Sequence, residues 1–269
     1  MDYRLSYVEM GTPNGRPTVI LVHGLAASRY DWDALLPALA SVGYRALAVD
    51  LLGHGDSDKP ADRKAYTVES FYQAFEAWID ALNLQPPLRL VGHSLGGYLS
   101  LKYCMRHPGW VQTLALISPL YRLGQVSPLL RLFRHRPGVG ARALRAVPLE
   151  WINLALSWDN INLAGFSPQA RQRIALDYKR ASPDILRVVG NIPDLMPYVE
   201  GVRVRTLVVW GGHDLTLNPR SFQPLVERLP DAVGQCLAHS GHQPHIGQPM
   251  KVNRMVLDFL DGHEVDRSL

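Results

Sequence analysis

Short apolar runs rich in β-branched residues recur along the chain, and most are followed by a longer stretch with apolar residues at helical spacing. The runs are Thr18 to His23, Ala46 to Asp50, Leu88 to Gly92, Leu114 to Ser118, Thr206 to Trp210 and Gly234 to Ala238. Helical patterns lie near 32–41, 68–83, 95–107, 219–229 and 249–261. Continuous apolar runs belong to strands covered on both faces, and parallel strands need a crossover that a helix supplies. The alternation predicts an α/β protein with a mostly parallel sheet flanked by helices.

The rhythm lapses between Pro119 and about Val204, where proline and glycine interrupt short helical patterns and no strand run occurs. The chain is expected to divide into a core of residues 1–119 and 201–269 and an inserted helical cap of residues 120–200. Within the cap, Leu120 to Leu149 carries arginines at 122, 131, 134, 136, 142 and 145 and no acid, interleaved with Leu129, Leu130, Leu132 and Phe133. A solvated face over apolar packing is the favoured reading, and contact with an anionic membrane surface or acidic ligand the lesser one.

Composition narrows the class. Hydrophobic residues make up 47% of the chain and charged residues 19%, the balance of a globular domain. A formal charge of +4 spread over 269 residues is too weak a signal to predict a nucleic-acid partner. No apolar run reaches the roughly 18 residues of a membrane span, and the first residues alternate polar and apolar, so a cytoplasmic protein is expected. Cys104 and Cys236 are too few for a disulfide framework and are expected as reduced core residues. No histidine pair brackets an acid at the i, i+4 spacing of a zinc hydrolase, so no metal and no cofactor is expected.

The strongest local signal is Gly92-His93-Ser94-Leu95-Gly96-Gly97, which closes one apolar run and opens a helical pattern. A serine between a strand and a helix on so sharp a turn presents its hydroxyl above the sheet, and the flanking glycines keep the turn free of side chains. A serine hydroxyl is a poor nucleophile at neutral pH. It needs a base to take its proton and a carboxylate to orient that base. Asp214 follows the run Thr206 to Trp210, and His242 follows Gly234 to Ala238, with His239 and His245 three residues to either side. Both positions fall at the carboxyl ends of strands, where open α/β sheets place their sites. A tetrahedral intermediate also needs amide donors, and the amides of Leu25, after the run ending in His23, and Leu95, at the start of the helix, are placed to supply them. His23 is expected to brace its loop, and Asp50 to Ser57 to form a tight turn.

On these residues the chain resembles the capped α/β-hydrolases. The matching motifs are His23-Gly24, the D-x-x-G-x-G-x-S of Asp50 to Ser57, the elbow at Gly92 to Gly97, the G-x-x-D of Gly211 to Asp214 and the G-H-x-x-H of Gly241 to His245. The resemblance covers nearly all of the chain outside 120–200. It selects His242 as base and leaves His245 in support. Gly247 stands where the family usually has glutamate, and the amino terminus is short by one strand.

The resemblance implies an α/β-hydrolase sheet and a triad of Ser94, Asp214 and His242 with an oxyanion hole at Leu25 and Leu95. Dehalogenases and epoxide hydrolases attack with a carboxylate, and Ser94 occupies that position here. The carbon-carbon bond hydrolases often carry Asn before and Met after the serine, where this chain has His93 and Leu95. The expected activity is hydrolysis of a small-molecule carboxylic ester through an acyl enzyme. The alternatives are carbon-carbon hydrolysis of the meta-cleavage type and a slow-turnover ligand receptor.

Overall fold

A computed structural model describes residues 3–128, 131, 146–148, 151, 166–190 and 192–265. Its sheet has seven strands, β1 (Tyr7–Met10), β2 (Val19–Val22), β3 (Ala46–Val49), β4 (Leu88–His93), β5 (Val111–Ile117), β6 (Arg205–Gly211) and β7 (Ala232–Leu237). Their order is β1-β3-β2-β4-β5-β6-β7, parallel except for β1, which pairs antiparallel with β3. The six apolar runs are β2 to β7. The four-residue strand β1 lies at the edge with three exposed residues, so it lacks the apolar run that marks the others.

Side chains alternate across a strand, and the central runs are apolar because both sides are covered. Ile20, Val22, Leu47, Val49, Leu90 and Leu116 pack into one core, and Val19, Leu21, Ala46, Ala48, Val91 and Ala115 into the other. The first core is closed by α2 (Val68–Ala81) and α3 (Leu95–Arg106). Thr67 caps α2 by accepting the Ser70 amide, and Val68, Phe71, Tyr72, Phe75, Trp78 and Ile79 form its buried stripe. Each such side chain stabilises by about 1.5–3 kcal/mol. The second core is closed by α1 (Leu35–Ser41), through Leu35, Leu36 and Leu39, and by the helix Pro249–Leu260, through Val252, Met255, Val256 and Phe259.

From β2 the chain passes to β3 on one side, then returns to place β4 on the other side of β2. The sheet order reverses at this pair, and an open α/β sheet has its crevice at the carboxyl ends of such strands. Loop 24–28 leaves β2 there and Ser94 leaves β4.

Between β5 and β6 the described residues hold no strand. They form a turn at Leu123–Gln125, helix α4 (Pro168–Arg180) and 3-10 segments at Pro183–Gly190 and Met196–Gly201. This segment is tied to the core where Ser28 Oγ donates to Asp177 at 2.7 Å, where the Ser182 amide donates to the Gly53 carbonyl at 2.8 Å, and by the pair Arg180–Asp56. Of the arginine-rich stretch, Arg134, Arg136, Arg142, Arg145, Leu129, Leu130, Leu132 and Phe133 lie outside the described residues. Arg131 donates to the carbonyls of Val126 and Gly124, both at 2.6 Å. No helix among the described residues is long and apolar enough to cross a membrane. Both cysteines are free, and Cys104 is buried as expected. Cys236 is exposed, against expectation: on the edge strand β7 its neighbours Gln235 and Leu237 take the inward positions.

Candidate active site

Ser94 stands between β4 and α3 with φ 50 and ψ −113. A non-glycine residue rarely adopts a positive φ, and such strain costs about 1–3 kcal/mol unless the surroundings impose it. Here they do. The Ser94 amide donates to the Ile117 carbonyl at 3.0 Å, and its own carbonyl accepts from Leu120 at 3.0 Å and Tyr98 at 3.2 Å. A Cβ on Gly96 would lie 2.0 Å from the Val22 carbonyl oxygen, and one on Gly92 would lie 2.6 Å from that of Gly96. The flanking glycines are therefore a steric requirement of the turn.

Asp214 and His242 come together from the loops after β6 and β7. His242 Nδ1 donates to Asp214 Oδ2 at 2.8 Å, with the carboxylate fully buried. Its other oxygen accepts from the amides of Thr216 at 2.9 Å and Leu217 at 2.8 Å. Asp214 thus fixes its own turn and orients the imidazole. Of the two competing histidines, His239 is exposed and His245 is buried against Asp31. Ser94 and His242 line one cavity of about 140 Å³ with Leu25, Leu95, Leu120 and Leu217.

Leu25 and Leu95 line that cavity together with Ser94. The Leu95 amide is in the first turn of α3, where helix geometry supplies no backbone partner and the macrodipole is positive. The loop carrying Leu25 is held by two buried histidines. The Leu51 amide donates to His23 Nε2 at 2.9 Å, so the proton is on Nδ1, which donates to the Gly24 carbonyl at 2.7 Å. The Ala26 amide donates to His54 Nε2 at 3.0 Å, and His54 Nδ1 donates to the Leu52 carbonyl at 2.9 Å. Both rings must be neutral to accept. Burial lowers His23 below the usual imidazole range and, with the neighbouring His23, takes His54 down to about 3. His23 is the brace expected of it, whereas the part of His54 was not foreseen. The turn Asp50 to Ser57 closes on Asp50, which accepts from the amides of Arg29 at 2.7 Å and Asp56 at 3.0 Å.

Two features had no signal in the sequence. The lining of the cavity includes Leu186, Val188, Val189 and Ile192 from between β5 and β6, where short 3-10 turns leave no periodic pattern. The second is a cluster of ligand-type side chains. Asp31, His93 and His245 are buried, with one donor atom from each within 4.8 Å of the others. No i, i+4 spacing announces it, because three separate elements supply the residues.

Residues 17–138 match the family model described as the alpha/beta hydrolase fold. The bifunctional epoxide hydrolase 2 of Sus scrofa is 24% identical over 96% of this chain and 53% of its own length. A thermophilic esterase from Thermogutta terrifontis superposes with a TM-score of 0.79 at 22% identity, covering 97% of this chain and 94% of the esterase. A meta-cleavage product hydrolase from Pseudomonas fluorescens IP01 superposes with a TM-score of 0.79 at 22% identity, over 97% of this chain and 95% of that one. The chain has the α/β-hydrolase fold.

Proposed function

We propose that this chain hydrolyses carboxylic esters of neutral small molecules through an acyl-enzyme intermediate. Ser94 attacks the carbonyl, and His242 takes the serine proton and returns it to the leaving alkoxide. Asp214 holds His242 in the tautomer with Nδ1 protonated, and the amides of Leu25 and Leu95 receive the oxyanion. Water activated by His242 then releases the acid.

The observation that carries the reading is the strained serine at φ 50 opening on a cavity shared with a histidine that donates to a buried aspartate at 2.8 Å. A serine nucleophile with aliphatic walls suits an ester better than an epoxide, whose family chemistry starts from a carboxylate. The reading extends to a cytoplasmic enzyme without a nucleic-acid partner, and the small net charge of +4 supports the latter.

The test is the kcat/KM of wild type and Ser94→Ala on p-nitrophenyl butyrate. A fast wild type with a variant slower by roughly 10⁴-fold or more is expected. A wild type close to the uncatalysed rate overturns the ester reading. Carbon-carbon hydrolysis then becomes the leading alternative, favoured by the likeness to the meta-cleavage product hydrolase and tested on a dienol diketone.

A further inference from the structure

Asp31, His93 and His245 meet beside the base loop, from the 3-10 turn Arg29–Trp32, the end of β4 and the short helix Pro244–Gly247. Their side chains are no more than 3% exposed. His93 Nε2 lies 3.1 Å from the His242 carbonyl oxygen. A carbonyl only accepts, so this nitrogen carries the hydrogen. In a neutral ring Nδ1 is then a bare lone pair, yet it lies 3.1 Å from the carboxylate oxygen Oδ2 of Asp31. Two lone pairs at that separation repel unless a positive charge sits with them. His245 adds a third donor: neither of its nitrogens has a hydrogen-bond partner among the described residues, and Nε2 is 3.8 Å from the same oxygen.

We propose that Asp31 Oδ2, His93 Nδ1 and His245 Nε2 form a binding site for a divalent transition-metal ion of the zinc type. Two imidazoles and one carboxylate are a donor set suited to such an ion, and they leave a fourth position for water. Bonds of about 2.0–2.1 Å in a tetrahedron put ligand atoms roughly 3.3 Å apart. Asp31 Oδ2 is 3.1 Å from His93 Nδ1 and 3.8 Å from His245 Nε2, and the set, within 4.8 Å, would close by side-chain adjustment. The His93 N–H on a backbone carbonyl is the usual outer partner of a metal-bound imidazole. Neutral imidazoles and an ionised carboxylate are the forms a metal requires, and a His93 ring with its hydrogen on Nε2 offers Nδ1 in that form. Asp31 and His245 also line a cleft of about 400 Å³, which gives the ion a path. The ion would tie the loop of His242 to β4 and takes no part in the proposed ester chemistry.

The rival occupant is a proton, which would make His93 an imidazolium balanced by Asp31. The test uses the full chain, stripped with EDTA and titrated with ZnCl2 and CoCl2. One bound ion per chain is expected, with cobalt absorption bands of tetrahedral intensity and a Tm rise of roughly 5–10 °C at a hundredfold excess over Kd. His245→Ala and Asp31→Asn should each lose that uptake while still melting cooperatively. Should either fail to fold, the wild-type titration decides. Absence of uptake with an unchanged Tm, a His93 imidazolium in the ¹⁵N spectrum at neutral pH, or uptake that survives both substitutions each overturns the proposal.

Discussion

Asp214 divides its carboxylate between two tasks: Oδ2 accepts from His242 Nδ1 at 2.8 Å, and Oδ1 accepts from the amides of Thr216 and Leu217 at 2.9 and 2.8 Å. Substitution can separate them. Asp214→Asn keeps an oxygen for the two amides but turns an NH2 group toward His242, which forces the wrong tautomer. Its kcat on p-nitrophenyl butyrate should fall by roughly 10⁴-fold with little change in Tm. Asp214→Ala should lose as much activity and also leave two buried amides unpaired, costing about 1–3 kcal/mol each. Equal melting temperatures for the two variants would refute the second task.

Gly96 carries a prediction about stability. A Cβ there would lie 2.0 Å from the Val22 carbonyl oxygen, at the end of β2, and 2.6 Å from that of His23, the next residue, both backbone atoms. Neither can swing aside as a side chain tip can. Gly96→Ala should therefore separate α3 from β2 and destabilise by about 3 kcal/mol or more, read by denaturant titration. Gly109→Ala is the control for the loss of a glycine, since a Cβ there meets nothing within 4 Å, although its φ of 84 adds local strain. A smaller loss at Gly96 than at Gly109 would remove the steric account of the elbow.

The elbow was legible because its cause is local: a turn this tight tolerates only glycine beside Ser94, and the requirement is written in consecutive residues. Asp214 was legible by rule, since it follows an apolar run that had to be a strand, whereas His242 needed the resemblance as well, because His239 and His245 share its loop. Strand β1 was not, because its exposed edge residues carry no alternation to read and only its pairing with β3, Tyr7 opposite Val49, defines it. The brace from His54 to the Ala26 amide and the meeting of Asp31, His93 and His245 depend on how separate loops converge, which no spacing along one segment encodes. The cavity wall of Leu186, Val188, Val189 and Ile192 stayed hidden for the same reason, compounded by the irregular turns that carry it.

His54 makes the loop of Leu25 sensitive to acid. Its folded-state value, about 3, lies below the ordinary 6.5, so between those limits the unfolded chain binds a proton that the folded chain refuses. Stability from this group is therefore complete above about pH 6.5 and is lost as pH falls toward 3. His54→Gln can still accept the Ala26 amide and does not titrate. It should start less stable than wild type at pH 8, through lost packing on His23 and Phe71, and lose less on acidification. Parallel pH curves of unfolding free energy for the two proteins would show that His54 is not the titrating group.

Asp177 acts with the opposite sign on the attachment of α4, between β5 and β6. Burial raises its carboxyl from 3.8 to about 6, although the hydrogen bond from Ser28 works the other way, and its Oδ1 has no partner among the described residues. Between those values the folded chain holds a proton that the unfolded chain has released. By linkage, its contribution to stability is greatest at low pH and is lost as pH rises from about 4 to about 6, by up to roughly 3 kcal/mol. Asp177→Asn preserves an acceptor for Ser28 Oγ and carries no charge at any pH. At pH 8 the variant should be more stable than wild type, and the advantage should shrink as pH falls to 4. Urea titrations at both values measure it. A variant equally destabilised at pH 4 and pH 8 would mean that shape, rather than ionisation, decides at this position, and that α4 is held on the core by packing alone.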